Sequence, residues 1–220
     1  DMTAITNDDI FRRAATTTPV VALKRRTIDS VLIGLGVVAA VVMVAAGGLL
    51  TWGANFSNDY VHDELASQNI AFPPAAALEE EGRTDLLKFA GATVDTGTEA
   101  EGYASFINGH LEGIADGQTY ADLGGPERAA KAAVEEATAS GASEAKIAEL
   151  QGEADAISGQ RNTLFKGETL RGLLLSAFAW STIGRIAGIA ATVAFVGAAA
   201  MVLLVLFGLR HHHKVVVGER

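Results

Sequence analysis

The sequence contains no cysteine among its 220 residues. Disulfide staples, cysteine-based catalysis and thiolate metal sites are therefore excluded. Aromatic residues are also few, at 6% of the chain, although hydrophobic residues reach 49%. Segments that alternate Val, Ile and Thr with polar residues are missing, and helix-forming residues dominate. The sequence therefore predicts an all-α protein whose apolar character comes mainly from Ala, Gly and Val.

Acidic residues outnumber basic ones, and the net charge is −9. Because phosphate binding needs clustered Lys and Arg, we expect no nucleic-acid partner. The acids concentrate in the middle of the chain. Such a surface repels anionic lipid heads and stays soluble. It could also attract a basic partner, but a solvated surface is the simpler interpretation.

Two runs of the sequence are apolar and free of charged residues, Val31–Trp52 and Ile186–Leu209. At about 1.5 Å per residue, a helix of either length crosses a hydrocarbon core of about 30 Å. A buried helix of a soluble fold and a cleaved signal peptide are the alternatives for the first run. Uncharged runs of this length are rare in soluble folds, and the run is long for a signal peptide. The sequence therefore predicts two transmembrane helices, with the lipid bilayer as a partner.

Basic residues flank both runs on the side away from the middle of the chain. They are Arg12, Arg13, Lys24, Arg25, Arg26, Arg210, Lys214 and Arg220. The positive-inside rule then places both termini in the cytoplasm and the middle of the chain outside. The expected location is the cell membrane, which the chain crosses twice.

These inferences divide the chain into consecutive parts. They are a cytoplasmic N-terminal tail (1–27), transmembrane helix 1 (28–52), an acidic helical extracytoplasmic domain (53–171), an interfacial segment with transmembrane helix 2 (172–209), and a basic cytoplasmic C-terminal tail (210–220). The predicted fold class is an all-α membrane protein, with two transmembrane helices and a helical extracytoplasmic domain between them.

Three residues are expected to anchor the chain at the outer membrane interface. Trp52 ends the first run and Trp180 precedes the second, and Trp is favoured at membrane–water boundaries. Arg185 interrupts the apolar sequence before the second run and is expected to reach toward the interface with its long side chain. The alternative places Arg185 deeper, where it faces a protein partner or an acidic lipid.

Small and apolar residues at helical spacing form candidate interfaces. Gly184 and Gly188 have the GxxxG spacing of close helix packing, either within the chain or between copies. A short coiled-coil-like stripe recurs at spacings of three and four, comprising Ile147, Leu150, Ala154 and Ile157. The middle domain is thin in large apolar residues, so its core alone is expected to be marginal. These features predict packing against other copies or against a larger partner.

The segment before the second span offers a further candidate interface. Glu168 and Arg171 are three residues apart, close enough to pair on a helix. One interpretation is a docking collar for another subunit. The other is an interfacial anchor that sets the height of the helix in the membrane.

The sequence shows no catalytic, cofactor-binding or metal-binding residues. It lacks the HExxH, GxSxG, P-loop and GxGxxG patterns. His62 stands beside two acids that point to other faces of a helix. His110 falls on an apolar helical face with Tyr103 and Ile107, and we expect it to be a packed core histidine. His211–His213 are expected to anchor the basic tail, so no cofactor and no enzyme activity are predicted.

Several segments together resemble a known family. They are Phe72-Pro73-Pro74, Tyr103-Ala104-Ser105-Phe106-Ile107, Gly117-Gln118-Thr119-Tyr120 and, most specifically, the LFKGETLRGLLL stretch from Leu164 to Leu175. Over about Thr27 to Leu209 the chain resembles a mostly uncharacterised family of two-pass membrane proteins common in actinobacteria. Members often carry the label "aromatic ring-opening dioxygenase". The resemblance implies the two-pass topology and a Gram-positive envelope, and the label implies an oxygenase.

The predicted function is that of a non-catalytic structural or accessory subunit of a bacterial membrane protein assembly. The chain would be either a homo-oligomeric scaffold or a companion of a larger, for example respiratory, complex. The alternative is a metal-dependent, membrane-anchored oxygenase. Such an enzyme would need a facial triad of two His and a carboxylate, and the sequence displays no such set.

Overall fold

The computed structural model describes the backbone of residues 25–218 and the side chains of residues 27–211. In chain order the elements are α1 (Arg25–Ala66), α2 (Ala75–Glu80), a 3-10 helix (Thr84–Phe89), α3 (Gly97–Ile114), α4 (Gly124–Ala139) and α5 (Glu144–Gly218). Within the described backbone there is no strand, and Ala71 and Thr93 form an isolated antiparallel β-bridge. The all-α prediction is confirmed for this part of the chain.

Helices α1 and α5 are long and apolar enough to cross a membrane. Their most apolar windows have mean hydropathies of 2.5 and 2.6, and only 17% and 11% of these windows are buried within the chain. The central helix of a soluble protein would be mostly buried. The two helices therefore present their apolar side chains outward. The first extends past Trp52 to Ala66, and it is followed by a turn in which Asn69 takes a positive φ of 50°.

The chain divides into two compact units. Within the described backbone, the smaller unit contains residues 25–46 and 193–218. In its described residues, small side chains let α1 and α5 approach closely. A Cβ added to Gly36 would lie 2.7 Å from Val205 Cγ2, and one added to Gly197 would lie 3.1 Å from Met43 Sδ. Such contacts are typical of membrane helix pairs, where small residues allow backbones to approach.

The larger unit, Gly47–Thr192, contains a hydrophobic core. Its buried members are Val61, Leu65, Phe72, Leu78, Leu86, Val94, Ala100, Ala104, Phe106 and Leu174. Three of them, Val61, Leu65 and Leu174, come from the two long helices beyond their most apolar runs. The core is therefore shared between the middle segment and the extensions of α1 and α5.

Hydrogen bonds between Thr96 and Glu99 fix the start of helix α3. Thr96 Oγ1 accepts a hydrogen bond from the Glu99 amide, and Glu99 Oε2 accepts one from the Thr96 amide at 2.9 Å. This reciprocal capping box satisfies amide donors that a helix start leaves free. The helix ends at Ile114, where Gly117 takes a positive φ of 79° in the following turn.

Helix α4 and the first part of α5 form a helical hairpin. The connection, 140–143, contains Gly141 at a φ of 70°, a left-handed conformation that glycine adopts without a Cβ clash. Connections this short join antiparallel neighbours. The two helices are separate at this connection, since α4 ends at Ala139 and α5 begins at Glu144.

Candidate functional site

The predicted apolar stripe lies on the hairpin and is partly covered by the chain itself. Ala154 is buried, and Ile147, Leu150 and Ile157 are half-buried. Glu127 of α4 contacts Ser158 of α5, so antiparallel counting from that pair places α4 opposite the stripe. The α4 residues at that register are half-buried as well, namely Ala130, Val134 and Ala137. A partner could therefore contact only those parts of the stripe's side chains that α4 does not cover. The role of the stripe as an interface stays a prediction.

A cluster of polar side chains connects α4 to α5 at the end of the hairpin away from the 140–143 connection. Arg161 Nη1 donates to Glu127 Oε2 at 2.6 Å, and Arg161 Nε donates to the Tyr120 carbonyl at 3.2 Å. The guanidinium also lies over the Tyr120 ring, 4.0 Å from its centroid. A planar cation suits both contacts at once. Arg161 thereby ties α4, α5 and the turn before α4 together.

Glu127 is the acceptor at the centre of this cluster. Lys131 Nζ donates to it at 2.7 Å and Ser158 Oγ at 2.9 Å, in addition to Arg161. These hydrogen bonds, from Lys131, Ser158 and Arg161, lower the pKa of the Glu127 carboxyl to about 2. Sequence reasoning missed the cluster, because residues separated by about one hairpin carry no periodic signal.

His110 is not a core residue, and that prediction is wrong. Its side chain is 54% exposed, with Nε2 3.6 Å from Glu81 Oε2. The ring packs edge-on against Phe106 at 4.6 Å, so only one side of it meets the apolar face. His110 lies at the edge of the apolar face of α3, whereas Leu111 and Phe106 occupy the buried positions of that face.

The two histidines of the larger unit have separate surroundings. His62 Nδ1 lies 3.3 Å from the Asp95 carbonyl oxygen, whereas His110 lies beside Glu81. Among the described residues, no group of three or more His, Asp or Glu side chains is arranged to hold a metal ion. The side chains of His212 and His213 fall outside the described residues.

Glu168 and Arg171 form the ion pair that their spacing predicts. Arg171 Nη1 donates to Glu168 Oε2 at 2.8 Å, and both side chains are partly exposed. The neighbouring Gly167 lies directly against the side chain of Leu111 from α3. The segment before the second span is therefore packed onto α3 on one side and open on the other.

Gly184 and Gly188 contact α1 of the same chain. A Cβ on Gly184 would lie 3.1 Å from Ser57 Cβ, and one on Gly188 would lie 3.8 Å from Ala54 Cβ. Buried Ser57 also donates a hydrogen bond from Oγ to the Trp180 carbonyl at 2.6 Å. The GxxxG pair therefore serves helix pairing within the chain.

The three predicted anchors are all exposed. Trp52 stacks on Phe56 at 5.8 Å, and Phe56 stacks on Tyr60 at 6.3 Å, which gives an aromatic ladder along one face of α1. Trp180 lies on α5, and the guanidinium of Arg185 is 3.5 Å from Thr98 Oγ1 at the start of α3. Arg185 thus extends toward the start of α3, and its role as an interfacial anchor stays a prediction.

Comparison with known proteins assigns no function to this chain. The chain matches no protein-family model, no curated protein and no solved structure. No relative therefore assigns an activity to any residue described above. The resemblance to the actinobacterial two-pass family stays a prediction.

Proposed function

We propose that this protein is a non-catalytic structural or accessory subunit of a bacterial membrane assembly. It crosses the cell membrane twice, with both termini in the cytoplasm and the acidic helical domain outside. The observation that carries the proposal is the exposure of large apolar side chains along two helices of membrane-spanning length. Such surfaces are stable only against lipid or against other apolar helices.

The contacts within the larger unit support a fixed, preorganised pair of helices. Ser57 bonds the Trp180 carbonyl, and Gly184 and Gly188 let the two helices approach closely. A seryl hydrogen bond between membrane helices is worth about 0.6 kcal/mol on average. These contacts keep the helices together while their outer faces stay free for lipid or for a partner.

The charge and aromatic patterns support the orientation. Basic residues flank the apolar runs at the proposed cytoplasmic ends. Trp52, Phe56 and Tyr60 lie at the other end of the first run, where interfacial aromatics are favoured. The apolar helices then leave the membrane and enter an acidic domain with its own ion pairs.

Cysteine labelling tests the orientation, because the natural chain has no cysteine. Single cysteines at exposed Ser143 and at Thr17 would be treated with a membrane-impermeant thiol reagent on intact cells. We expect Ser143→Cys to react and Thr17→Cys to react only after the membrane is opened. Labelling of Thr17→Cys alone on intact cells would reverse the orientation. Ser57 is unsuitable as a labelling site because it is buried.

Native mass measurement after gentle extraction tests the assembly. We expect either several copies of this chain or larger co-purifying subunits, because the outward apolar faces and the stripe both lack full coverage within one chain. Leu150→Asp should shift the assembly toward smaller species if the stripe contributes. Gln151→Asp, on the exposed side of the same helix turn, is the matched control and should leave the mass unchanged.

Helical content recorded for both variants separates loss of assembly from loss of the hairpin fold. A monodisperse monomer in native lipid, with its helices intact, would contradict the subunit proposal. An equal response to Leu150→Asp and Gln151→Asp would remove the stripe from the interface while leaving the assembly in place.

A further inference from the structure

An apolar groove of about 300 Å³ lies between α1 and α5 in the larger unit. Its floor is buried and belongs to the hydrophobic core, with Val61 and Leu65 on one side and Leu174 on the other. Its rim is exposed and includes Tyr60, Leu170, Leu173 and Trp180. The groove is therefore a strip of core surface that the described residues leave open.

The groove starts at the level expected for the membrane surface. Tyr60 continues the aromatic ladder of α1, and Trp180 is the predicted interfacial anchor of α5. Along α5 the lining extends from Trp180 to Leu170, a helical rise of about 15 Å. A hydrocarbon chain that entered beside Trp180 would stay in contact with apolar side chains over this distance.

One charged group lines the groove. Glu64 lies one helical turn beyond Tyr60, about 6 Å farther along α1, and its side chain is exposed. Apart from Gln68, Ser176 and the polar tips of the aromatic residues, the remaining lining is apolar. A ligand that matches this pattern has a hydrocarbon chain and, next to it, a cationic hydrogen-bond donor.

We infer that the groove between α1 and α5 binds a membrane lipid with an amine headgroup, such as phosphatidylethanolamine. One acyl chain lies over Val61 and Leu174 and passes Trp180 into the bilayer, and the ammonium donates to the Glu64 carboxylate. The inference rests on the proposed membrane insertion. A second copy of this chain is the competing occupant, but Glu64 and the excess of acidic residues in the surrounding domain favour a cationic group over another acidic surface.

The chain supplies its own reporters, because it contains two tryptophans. Trp52→Phe leaves Trp180 in the groove, and Trp180→Phe leaves Trp52 on the aromatic ladder outside it. The full-length variants would be placed in phosphatidylcholine nanodiscs. Increasing fractions of brominated-chain phosphatidylethanolamine, or of brominated-chain phosphatidylcholine, would then be added. Bromine quenches tryptophan fluorescence on contact, so each titration reports lipid at one tryptophan.

For Trp180 we expect half-quenching at a phosphatidylethanolamine fraction about two- to fivefold lower than for phosphatidylcholine, the range of an exposed charge pair. For Trp52 the two lipids should quench equally. Glu64→Gln, in the Trp52→Phe background, should abolish the preference at Trp180. Asp63→Asn is the matched control, since Asp63 is exposed and adjacent but does not line the groove. It should retain the preference.

Each other result has a defined meaning. Equal quenching of Trp180 by both lipids overturns the groove proposal but leaves membrane insertion intact. No quenching at either tryptophan overturns the proposed insertion itself. Quenching at Trp52 but not at Trp180, together with disulfide crosslinking of Leu173→Cys between copies, assigns the groove to a second copy and overturns the lipid proposal.

Discussion

Replacing Gly167 with valine is expected to lower the free energy of unfolding of the larger unit by about 1–3 kcal/mol, the usual cost of overpacking. The reason is the direct approach of the Leu111 side chain from α3, which already meets the position of an added Cβ. Leu111 is itself buried, in a cluster with Ala115, Leu123 and Leu164, so it has little room to move away. Unfolding in mixed micelles measures the change.

Gly172→Val is the matched control for this prediction. It lies in the same helix and has nothing within 4 Å of an added Cβ. We expect a change within about 0.5 kcal/mol, as for most surface substitutions. Adding Leu111→Ala to Gly167→Val should recover part of the loss, so the double-mutant cycle should give a favourable coupling. Equal destabilisation by the two valines would mean that contact with Leu111 is not the reason why valine at position 167 lowers the free energy of unfolding.

Truncation of Leu174 to alanine is expected to cost about 2–5 kcal/mol of unfolding free energy, as for other buried leucines. Leu174 is 2% exposed and lies in the main core with Val61 and Leu65. Its loss leaves a cavity where α5 meets the extension of α1. Because the same cluster contains Leu78 and Leu86, the destabilisation should extend to the two short helices that contain them.

Leu173→Ala provides the comparison, since Leu173 is the adjacent residue and is 66% exposed. Its unfolding free energy should change by less than about 0.5 kcal/mol. Thermal melting of both variants in one detergent gives the difference directly. Comparable losses would show that the core does not include this part of α5.

The spans, the caps and the breaks between helices were predictable because each depends on neighbouring residues. An uncharged run long enough to cross a bilayer, a Thr96–Glu99 capping box and a glycine at a turn are local signals. The hairpin stripe was predictable for the same reason, since residues three and four apart share a helix face.

The shared core and the polar cluster were not predictable, because both depend on contacts between distant segments. The middle domain looks poor in large apolar residues when it is considered by itself. Its core is completed by Leu174, which the predicted boundaries place in the second membrane segment, 172–209. His110 shows a smaller error of the same origin, since only the packed structure decides which edge of an apolar face is covered.

The low pKa of Glu127 determines the pH range over which its hydrogen bonds stabilise the hairpin. An unperturbed glutamate of this kind, with a pKa of 4.5, loses its charge in mildly acidic surroundings, whereas the pKa of Glu127 is lowered to about 2. The stabilisation from this group is therefore fully present above pH 4.5 and declines progressively as the pH falls from 4.5 through about 2. The link from Glu127 on α4 to Ser158 and Arg161 on α5 therefore keeps its charged acceptor under mildly acidic conditions. Under the proposed topology the domain has no buffered cytoplasm around it, and the low pKa of Glu127 would keep these hairpin contacts through a moderate acidification of the medium.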